Sequence, residues 1–541
     1  MKDISSTGSF IDFTLENFIY VDKTEYIPKL VKLKRVFISR PRRFGKSLTL
    51  DTIATLFETG VEPYFKGTWI YDKWTEPTYP VLRLNFLNFD KNSLEKFNNK
   101  LNSKITEFAE LNQVTTYKEK EEAEDSIDHL LEQLRLEGRQ IVILIDEYDC
   151  QMTANINNET LYKQFQEKIK SFYANIKDKF AIKFLGITGV TRLKDVSIFS
   201  VGSDINDITN ASAYSQMIGF TRDEIKKYYI DYLKLASSYE NNCSVDDVTD
   251  TQLESMLDMM AQNYDGYCFD EDYEKKVFST WSVNKFFQTM IEKKKVQFGE
   301  YWYDNGGLPS ILVNYLKTHE LNIFEYLDKD KFLKVSSDDF KNPTALTTIN
   351  QNVLMCQTGY LTLRSDLNKT STVALGIPNG EIYKALNRLL ANNIFKGNTD
   401  ITDDYGRSLL EVGTVDDIIN LFNSALNSVS YDNYPIVSES SVQNMLKLYL
   451  LGAHQEVLSE VHEAKGRADL VVNTDNRRIV FEFKYAKNEA EAKSKLSEAV
   501  EQIKTRDYGN ILPKKNELIR IAAVFNADPK VRAFTENQIV P

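Results

Sequence analysis

The chain is 541 residues long, enough for about three domains at roughly 100–200 residues each. Its composition, 42% hydrophobic and 27% charged, is that of a folded globular protein and excludes wholesale disorder and collagen-like repetition. A net charge of −12, from 66 Lys+Arg against 78 Asp+Glu, disfavours a protein that coats nucleic acid through its bulk field, while leaving a local acidic site free to act on it.

In chain order, the first clear elements fall between residues 34 and 58. KRVFIS reads as a strand, RPRRFGK as a loop, and SLTLDTIATLFET as a helix with apolar spacing. Pro80–Phe86 (PVLRLNF) is a second strand. A polar helical stretch follows over about 91–138, and its run KEKEEAEDS reads as a solvated face or loop. Two apolar strands come next, Ile141–Ile145, which ends in DEYD, and Phe180–Thr188 (FAIKFLGIT). Strands alternating with helices predict a parallel, doubly wound sheet over residues 1–215. Residues 216–425 turn mostly helical and rich in Tyr and Phe, which read as core rather than as base-stacking platforms. The segment 430–541 changes character again. A helical piece, a strand pair (ADLVV and RIVFEFK), a long helix and a strand at Leu518–Phe525 predict a separate α/β module.

No apolar run approaches the roughly 18–20 residues of a membrane helix. The first ten residues lack the basic start and apolar stretch of a signal peptide. The four cysteines (Cys150, Cys243, Cys268, Cys356) form no CxxC pair. These features predict a protein of the reducing cytoplasm with no membrane partner.

The segment Arg40–Ser47, RPRRFGKS, matches the second half of the phosphate-binding pattern G-x-x-x-x-G-K-[ST]; Arg40 stands where the first glycine is expected. Gly45 would let the backbone approach a phosphate, with helix-start amides facing the anion. Lys46 would reach the β/γ-phosphates, and the Ser47 hydroxyl would ligate Mg²⁺. The apolar strand Ile141–Ile145 leads into Asp146 and Glu147, the pair expected to hold Mg²⁺ and to polarise the attacking water. Its distance from Lys46 suggests a strand adjacent to the first. Thr188, at the tip of the next strand, is placed to sense the γ-phosphate. Arg192 would supply positive charge to the transition state, or else form a surface ion pair.

A second constellation lies in Gly466–Lys484, GRADLVVNTDNRRIVFEFK. Strand alternation puts Glu482 and Lys484 on one face, and Phe481 and Phe483 on the other. A four-residue hairpin loop at Thr474–Arg477 would set Asp469 opposite Glu482. Cross-strand Cβ atoms then lie about 4.5–5.5 Å apart, close enough for two carboxylates to share one divalent cation. Oxygen ligands suit Mg²⁺ or Mn²⁺. Lys484 would position water or neutralise charge on a phosphate, and Glu460 would be a further ligand or orienter. On the following helix Leu496, Val500 and Ile503 form a buried stripe, with Gln502 beside it. The competing reading is an exposed strand carrying an ordinary ion pair.

RPRRFGKS with an early YVDKT (Tyr20–Thr24), LIDEYD and a terminal GRADL…FEFK…QI resemble the bacterial AAA-ATPase-like proteins that carry a C-terminal PD-(D/E)XK nuclease-superfamily domain. YDGYCF (Tyr264–Phe269), WSV (Trp281–Val283) and QTGYLTL (Gln357–Leu363) resemble the same family. The resemblance implies a P-loop NTPase domain over 1–215, a helical middle region over 216–425 and a restriction-endonuclease-like α/β domain over 430–541. It implies nucleotide binding by Arg42, Arg43, Phe44, Gly45, Lys46, Ser47 and Asp146, with Glu147 catalytic. It also implies a nuclease centre of Glu460, Asp469, Glu482, Lys484 and Gln502. ATP and Mg²⁺ (or Mn²⁺ at the nuclease centre) are the implied cofactors. DNA or RNA is the expected partner, and a homo-oligomer or a protein partner would be met through the middle region. The expected function is an ATP-binding protein, and ATPase, coupled to a metal-dependent nuclease. The alternative is a nucleotide-controlled switch whose nuclease fold is not catalytic.

Overall fold

The structure is a computed structural model that describes residues 1–541 apart from 177–178, 194–204, 305–309, 317–318, 320–322, 344, 396–404, 454–455, 464–465 and 511–513; the side chains of 303–304, 310, 405, 407, 456, 458–463 and 466 are likewise outside the described set. Its contacts separate into two compact units, Met1–His319 with Phe332–Ile382, and Glu320–Lys331 with Tyr383–Pro541.

The first unit is built on a five-stranded sheet of β1 (Arg35–Ser39), β2 (Val81–Asn85), β3 (Ile141–Asp146), β4 (Ile182–Gly189) and β5 (Asn206–Asp207), in the order β2-β3-β4-β1-β5. Every neighbouring pair is parallel. Strands β1 and β3 are buried along their whole length, as expected of parallel strands covered on both faces. The strand carrying Asp146 is therefore not next to β1. Strand β4 lies between them, which corrects the adjacency suggested by the sequence.

Helix α1 (Lys46–Thr59) follows the loop after β1 and runs to Gly60, whose positive φ of 73° ends it. Helices α2 (Leu94–Leu111), α3 (Ala123–Leu136) and α4 (Glu159–Ile176) each bury one apolar stripe. Part of the acidic run KEKEEAEDS has a partner, because Glu122 and Glu124 both pair with the buried Lys168 of α4.

Further along, α5 (Ile230–Asn241), α6 (Asp250–Tyr264) and α7 (Thr280–Lys293) pack around a shared core. Leu253, Met256, Leu257, Met260 and Tyr264 supply the α6 stripe, and Phe286 and Phe287 face it from α7. Tyr229, Tyr232, Tyr264, Phe278, Phe286 and Phe287 are thus core residues. A three-stranded antiparallel sheet, β6 (Leu333–Ser336), β7 (Thr362–Leu363) and β8 (Thr372–Gly376), ordered β6-β8-β7, adds strand structure to a stretch the sequence suggested was mostly helical.

The second unit carries a mixed sheet of β9 (Glu456–Glu463), β10 (Gly466–Asn473), β11 (Arg477–Ala486), β12 (Glu517–Asn526) and β13 (Ala533–Ile539), ordered β13-β12-β11-β10-β9. All pairs are antiparallel except β11 with β12. A parallel pair needs a crossover, and three helices serve this unit: α8 (Val415–Asn427), α9 (Glu439–Gly452) and the crossover α10 (Glu489–Arg506). Phe422 of α8 packs on Phe481 and Phe534 on one face. On the other, Val500 and Ile503 of α10 pack with Val471 and Val480. The predicted fold class is the observed one, a P-loop-type parallel sheet, a largely helical middle and a C-terminal mixed α/β sheet. Among the described residues, no helix is long and apolar enough to cross a membrane, and the four cysteines are free.

Candidate functional site

In the first unit the chemistry gathers at the C-terminal ends of β1, β3 and β4, where ligands bind open parallel sheets. The chain leaves β1 at Ser39 and turns through Arg40–Gly45, with φ of 68° at Arg43 and 102° at Gly45. A Cβ on Gly45 would meet nothing within 4 Å, so conformation rather than space calls for glycine there. Lys46 opens α1, and its buried ammonium lies 3.1 Å from the Arg40 carbonyl, 3.3 Å from that of Pro41 and 3.5 Å from Glu147 Oε1. Ser47 Oγ donates to Asp146 Oδ2 at 2.6 Å, and Thr188 Oγ1 donates to Asp146 Oδ1 at 2.5 Å. Glu147 itself takes a left-handed φ of 53°. The structure therefore brings Lys46, Ser47, Asp146, Glu147 and Thr188 together.

The other residues of the loop have side chains committed elsewhere. Arg43 Nη1 donates to the carbonyls of Tyr301 (2.8 Å) and Trp302 (3.3 Å), and its guanidinium lies over the Trp281 ring. Phe44 packs edge-on against Tyr267, Phe269 and Trp302. The backbone amides of these two residues lie in the loop as donors to a phosphate. Arg42 is half-buried. Arg40 explains the missing glycine. It is buried, donates to the carbonyls of Ser39 and Thr209, and stacks over the Phe269 ring at 4.2 Å. Arg192 pairs with Asp207 at the end of β5, the ion-pair reading of that residue.

Sequence reasoning did not anticipate the second aspartate of DEYD as a brace. Buried Asp149 accepts from Thr191 N at 2.7 Å and Thr191 Oγ1 at 2.6 Å, while the Tyr148 hydroxyl donates to the Thr191 carbonyl. A cavity of about 960 Å³, counting its open mouth, adjoins the loop and is lined by Tyr20, Val21, Gly45, Thr49, Ile218 and Gly219 among others.

In the second unit, β10 and β11 pair Leu470 with Phe481, Val471 with Val480 and Asn473 with Arg478. This is the register that a Thr474–Arg477 loop dictates, and Thr474 N donates to the Arg477 carbonyl across it. Where the ladder ends, the Asp469 side chain takes over, its Oδ2 accepting from Phe483 N at 2.9 Å. Lys484 Nζ lies 2.9 Å from Glu482 Oε1 and 3.2 Å from Glu439 Oε1. Glu482 is fully buried, and among the described residues its Oε2 has no hydrogen-bond partner. Burial, then Asp469, pushes the Glu482 carboxyl up to about 7 against the pull of Lys484. Burial likewise raises Asp469. Burial works to lower the Lys484 ammonium, but Glu482, Glu439 and Asp469 outweigh it and hold it above its ordinary value.

Glu460 lies in β9 between Ser459, which pairs with Leu470, and Val461, which pairs with Ala468. That backbone position is alongside Asp469; its side chain is outside the described set. Gln502 is half-exposed on α10, and among the described residues its amide makes no hydrogen bond to Asp469, Glu482 or Lys484. The residue that sequence reasoning missed is Glu439. It sits in the first turn of α9, after the Ser438 cap, and Gln443 one turn later donates to the Asp469 carbonyl at 2.5 Å. The signal was there: an acid and an amide at i and i+4 on the helix just before the hairpin share one face.

The family described as "Predicted AAA-ATPase" matches residues 5–199, and the PD-(D/E)XK nuclease superfamily matches residues 437–535. Over 533 residues the chain is 26% identical to an uncharacterised protein of the vnfD 5′ region of Azotobacter chroococcum mcd 1, covering 95% of this chain and 94% of that protein. The crystal structure of Cdc6p from Pyrobaculum aerophilum aligns with 68% of this chain and 93% of its own at 11% identity and a TM-score of 0.23, too loose a fit to add to the strand order itself. Residues 5–199 thus form an AAA-ATPase-like domain and residues 437–535 a PD-(D/E)XK nuclease-superfamily domain.

Proposed function

We propose that the chain binds and hydrolyses ATP and that its C-terminal domain cleaves DNA or RNA phosphodiesters with a divalent cation. We divide the work among three regions, an NTPase over 1–215, a middle region over 216–425 that carries the nucleotide state, and a nuclease over 430–541. The carrying observation is the fully buried Glu482, paired through one oxygen with Lys484 and, among the described residues, left without a partner at the other. A buried polar atom without a partner is costly, and a cation would satisfy it.

Asp469 and Glu482 fit Mg²⁺ or Mn²⁺. Among the described residues no group of three or more His, Cys, Asp or Glu forms a ready cage, so water would complete the coordination, as Mg²⁺ sites commonly allow. Such an ion, when bound, lowers the pKa of a coordinated water and offsets charge on a phosphate. The protein's own part is then specific. Lys484, held cationic by three carboxylates, stabilises the charge that develops on the phosphate. Glu439 orients Lys484 from α9.

At the nucleotide site, Lys46 would exchange the loop carbonyls and Glu147 for phosphate oxygens. Ser47 and Asp146 would hold the Mg²⁺ that accompanies ATP, Thr188 would fix Asp146, and Glu147 would orient water. The full burial of Glu482 and its existing pair with Lys484 favour a second reading, a nucleotide-controlled switch with a non-catalytic nuclease fold.

Mn²⁺ binding followed by electron paramagnetic resonance separates the two. With Asp146→Ala introduced to remove the nucleotide-site ligand, retention of one Mn²⁺ that Glu482→Gln then abolishes supports the nuclease. Absence of Mn²⁺ binding in the Asp146→Ala protein contradicts it.

A further inference from the structure

Helix α10 ends against the carboxylate face of β11, and its last residue is an arginine. Val480, Glu482 and Lys484 alternate onto one face of that strand, the face that Val500, Ile503 and Tyr508 pack against. After Arg506 the chain reverses through Asp507 (φ 51°) and Gly509 (φ 82°). The turn seats on the strand so closely that a Cβ on Gly509 would lie 2.6 Å from Val480 Cγ2, two residues from Glu482. Arg506 Nη1 donates to the hydroxyl of the buried Tyr508 at 2.6 Å, which fixes the guanidinium beside this turn. Its acidic neighbour Asp507 is taken by Arg520 at 2.5 Å. Among the described residues Arg506 itself makes no ion pair with a carboxylate, and it remains half-exposed.

We propose that Arg506 is a phosphate-binding residue of the nuclease site, holding the backbone of a nucleic-acid strand beside Asp469 and Glu482. The proposal rests on the nuclease reading above and assigns to Arg506 the helix contribution that the sequence suggested for Gln502, one turn earlier. The hydrogen bond to Tyr508, then the charges of Tyr508, Glu482 and Asp469, hold the guanidinium above its ordinary pKa, so it is cationic wherever the enzyme is folded. A guanidinium forks onto phosphate oxygens bidentately, which a glutamine amide cannot do. It is also suited to entering an acidic site, because it offsets the repulsion between two carboxylates and the incoming strand.

The test is equilibrium binding of a fluorescein-labelled DNA duplex, the matching single strand and its RNA equivalent to the full chain. Anisotropy is read in EDTA, where no cleavage occurs, across a salt series. Arg506→Ala is expected to weaken binding on the order of tenfold and to reduce the salt slope of log K by about one, the signature of one lost phosphate contact. Arg506→Lys should restore most of the slope, which a purely structural role would not. An unchanged slope in a folded Arg506→Ala protein overturns the proposal and leaves the nuclease reading standing. Failure of the unmodified protein to bind any of the three probes overturns the nuclease reading, and this proposal with it.

Discussion

Ser47 Oγ lies 2.6 Å from Asp146 Oδ2, joining the first turn of α1 to the tip of β3 across the intervening β4. The same aspartate accepts from Thr188 on β4, so one carboxylate ties together three elements of the nucleotide site. Removing it should uncouple them. Asp146→Ala is expected to weaken ATP binding in Mg²⁺ by about tenfold or more, while binding in EDTA falls far less. Isothermal titration with and without Mg²⁺ measures both. Equal losses in the two conditions would show that Asp146 acts on the fold and not through the cation.

Gly189 ends β4 directly against Tyr148. A Cβ there would sit 2.4 Å from Tyr148 Cδ1 and 2.8 Å from Asp149 Oδ1. Those atoms belong to a buried ring and a hydrogen-bonded carboxylate, which cannot yield cheaply. Gly189→Ala should cost about 1–3 kcal/mol of stability, the usual cost of overpacking, seen as a lower urea midpoint, and should weaken nucleotide binding as Asp149 is displaced from Thr191. A stability within about 0.5 kcal/mol of the parent would contradict the packing described.

Glu381 is buried, accepts from Ser282 Oγ at 2.7 Å and from Trp302 N at 2.8 Å, and burial pushes its carboxyl up to about 8. A carboxyl whose folded pKa exceeds its unfolded value holds its proton more tightly when folded, so its contribution is full below pH about 4.5 and is lost as pH rises through about 8. Glu381→Gln cannot ionise; its amide oxygen still accepts from Trp302 N, and its amide NH2 donates to Ser282 Oγ in place of the bond that Ser282 donated. Its stability should match the parent's near pH 5 and exceed it near pH 9, by about 5 kcal/mol at most, read as a higher melting temperature. Parallel melting curves at the two pH values would refute the assignment.

Glu439 contacts Lys484 from a partly exposed position, so its loss should barely move stability, by under about 1 kcal/mol. If it orients the lysine during cleavage, Glu439→Gln should lower kcat by about tenfold to a hundredfold, the range for removing an orienting partner. Thermal melting and steady-state cleavage together separate the two effects, and unaltered cleavage would place Glu439 outside the reaction.

What could be read from the sequence, and what could not, divides along physical lines. The Asp469–Glu482 register was legible because strand alternation has a period of two and a short turn leaves one pairing that buries Phe481 and Phe483. The loop around Lys46 was legible because its chemistry is local. The place of β4 between β1 and β3 was not, since local pattern says nothing about strand order. Glu439 was hidden for the same reason, because its meeting with Lys484 is a tertiary contact across 45 residues of chain. Strands β6, β7 and β8 run only 4, 2 and 5 residues, too short for alternation to stand out. Arg43 and Phe44 read as ligand residues by position in the motif, yet the packing around Trp281 and Tyr267 takes their side chains.

The central claim is that Asp469, Glu482 and Lys484 form a working hydrolytic centre. Its most direct test is cleavage of single- and double-stranded DNA and RNA by the purified full chain with Mg²⁺ or Mn²⁺ and ATP, beside Glu482→Ala, Asp469→Ala and Lys46→Ala. The expected result is metal-dependent cleavage that is lost in the Glu482 and Asp469 variants and altered in its ATP response by Lys46→Ala. Absence of cleavage on every substrate, or cleavage that survives both carboxylate substitutions, would contradict it.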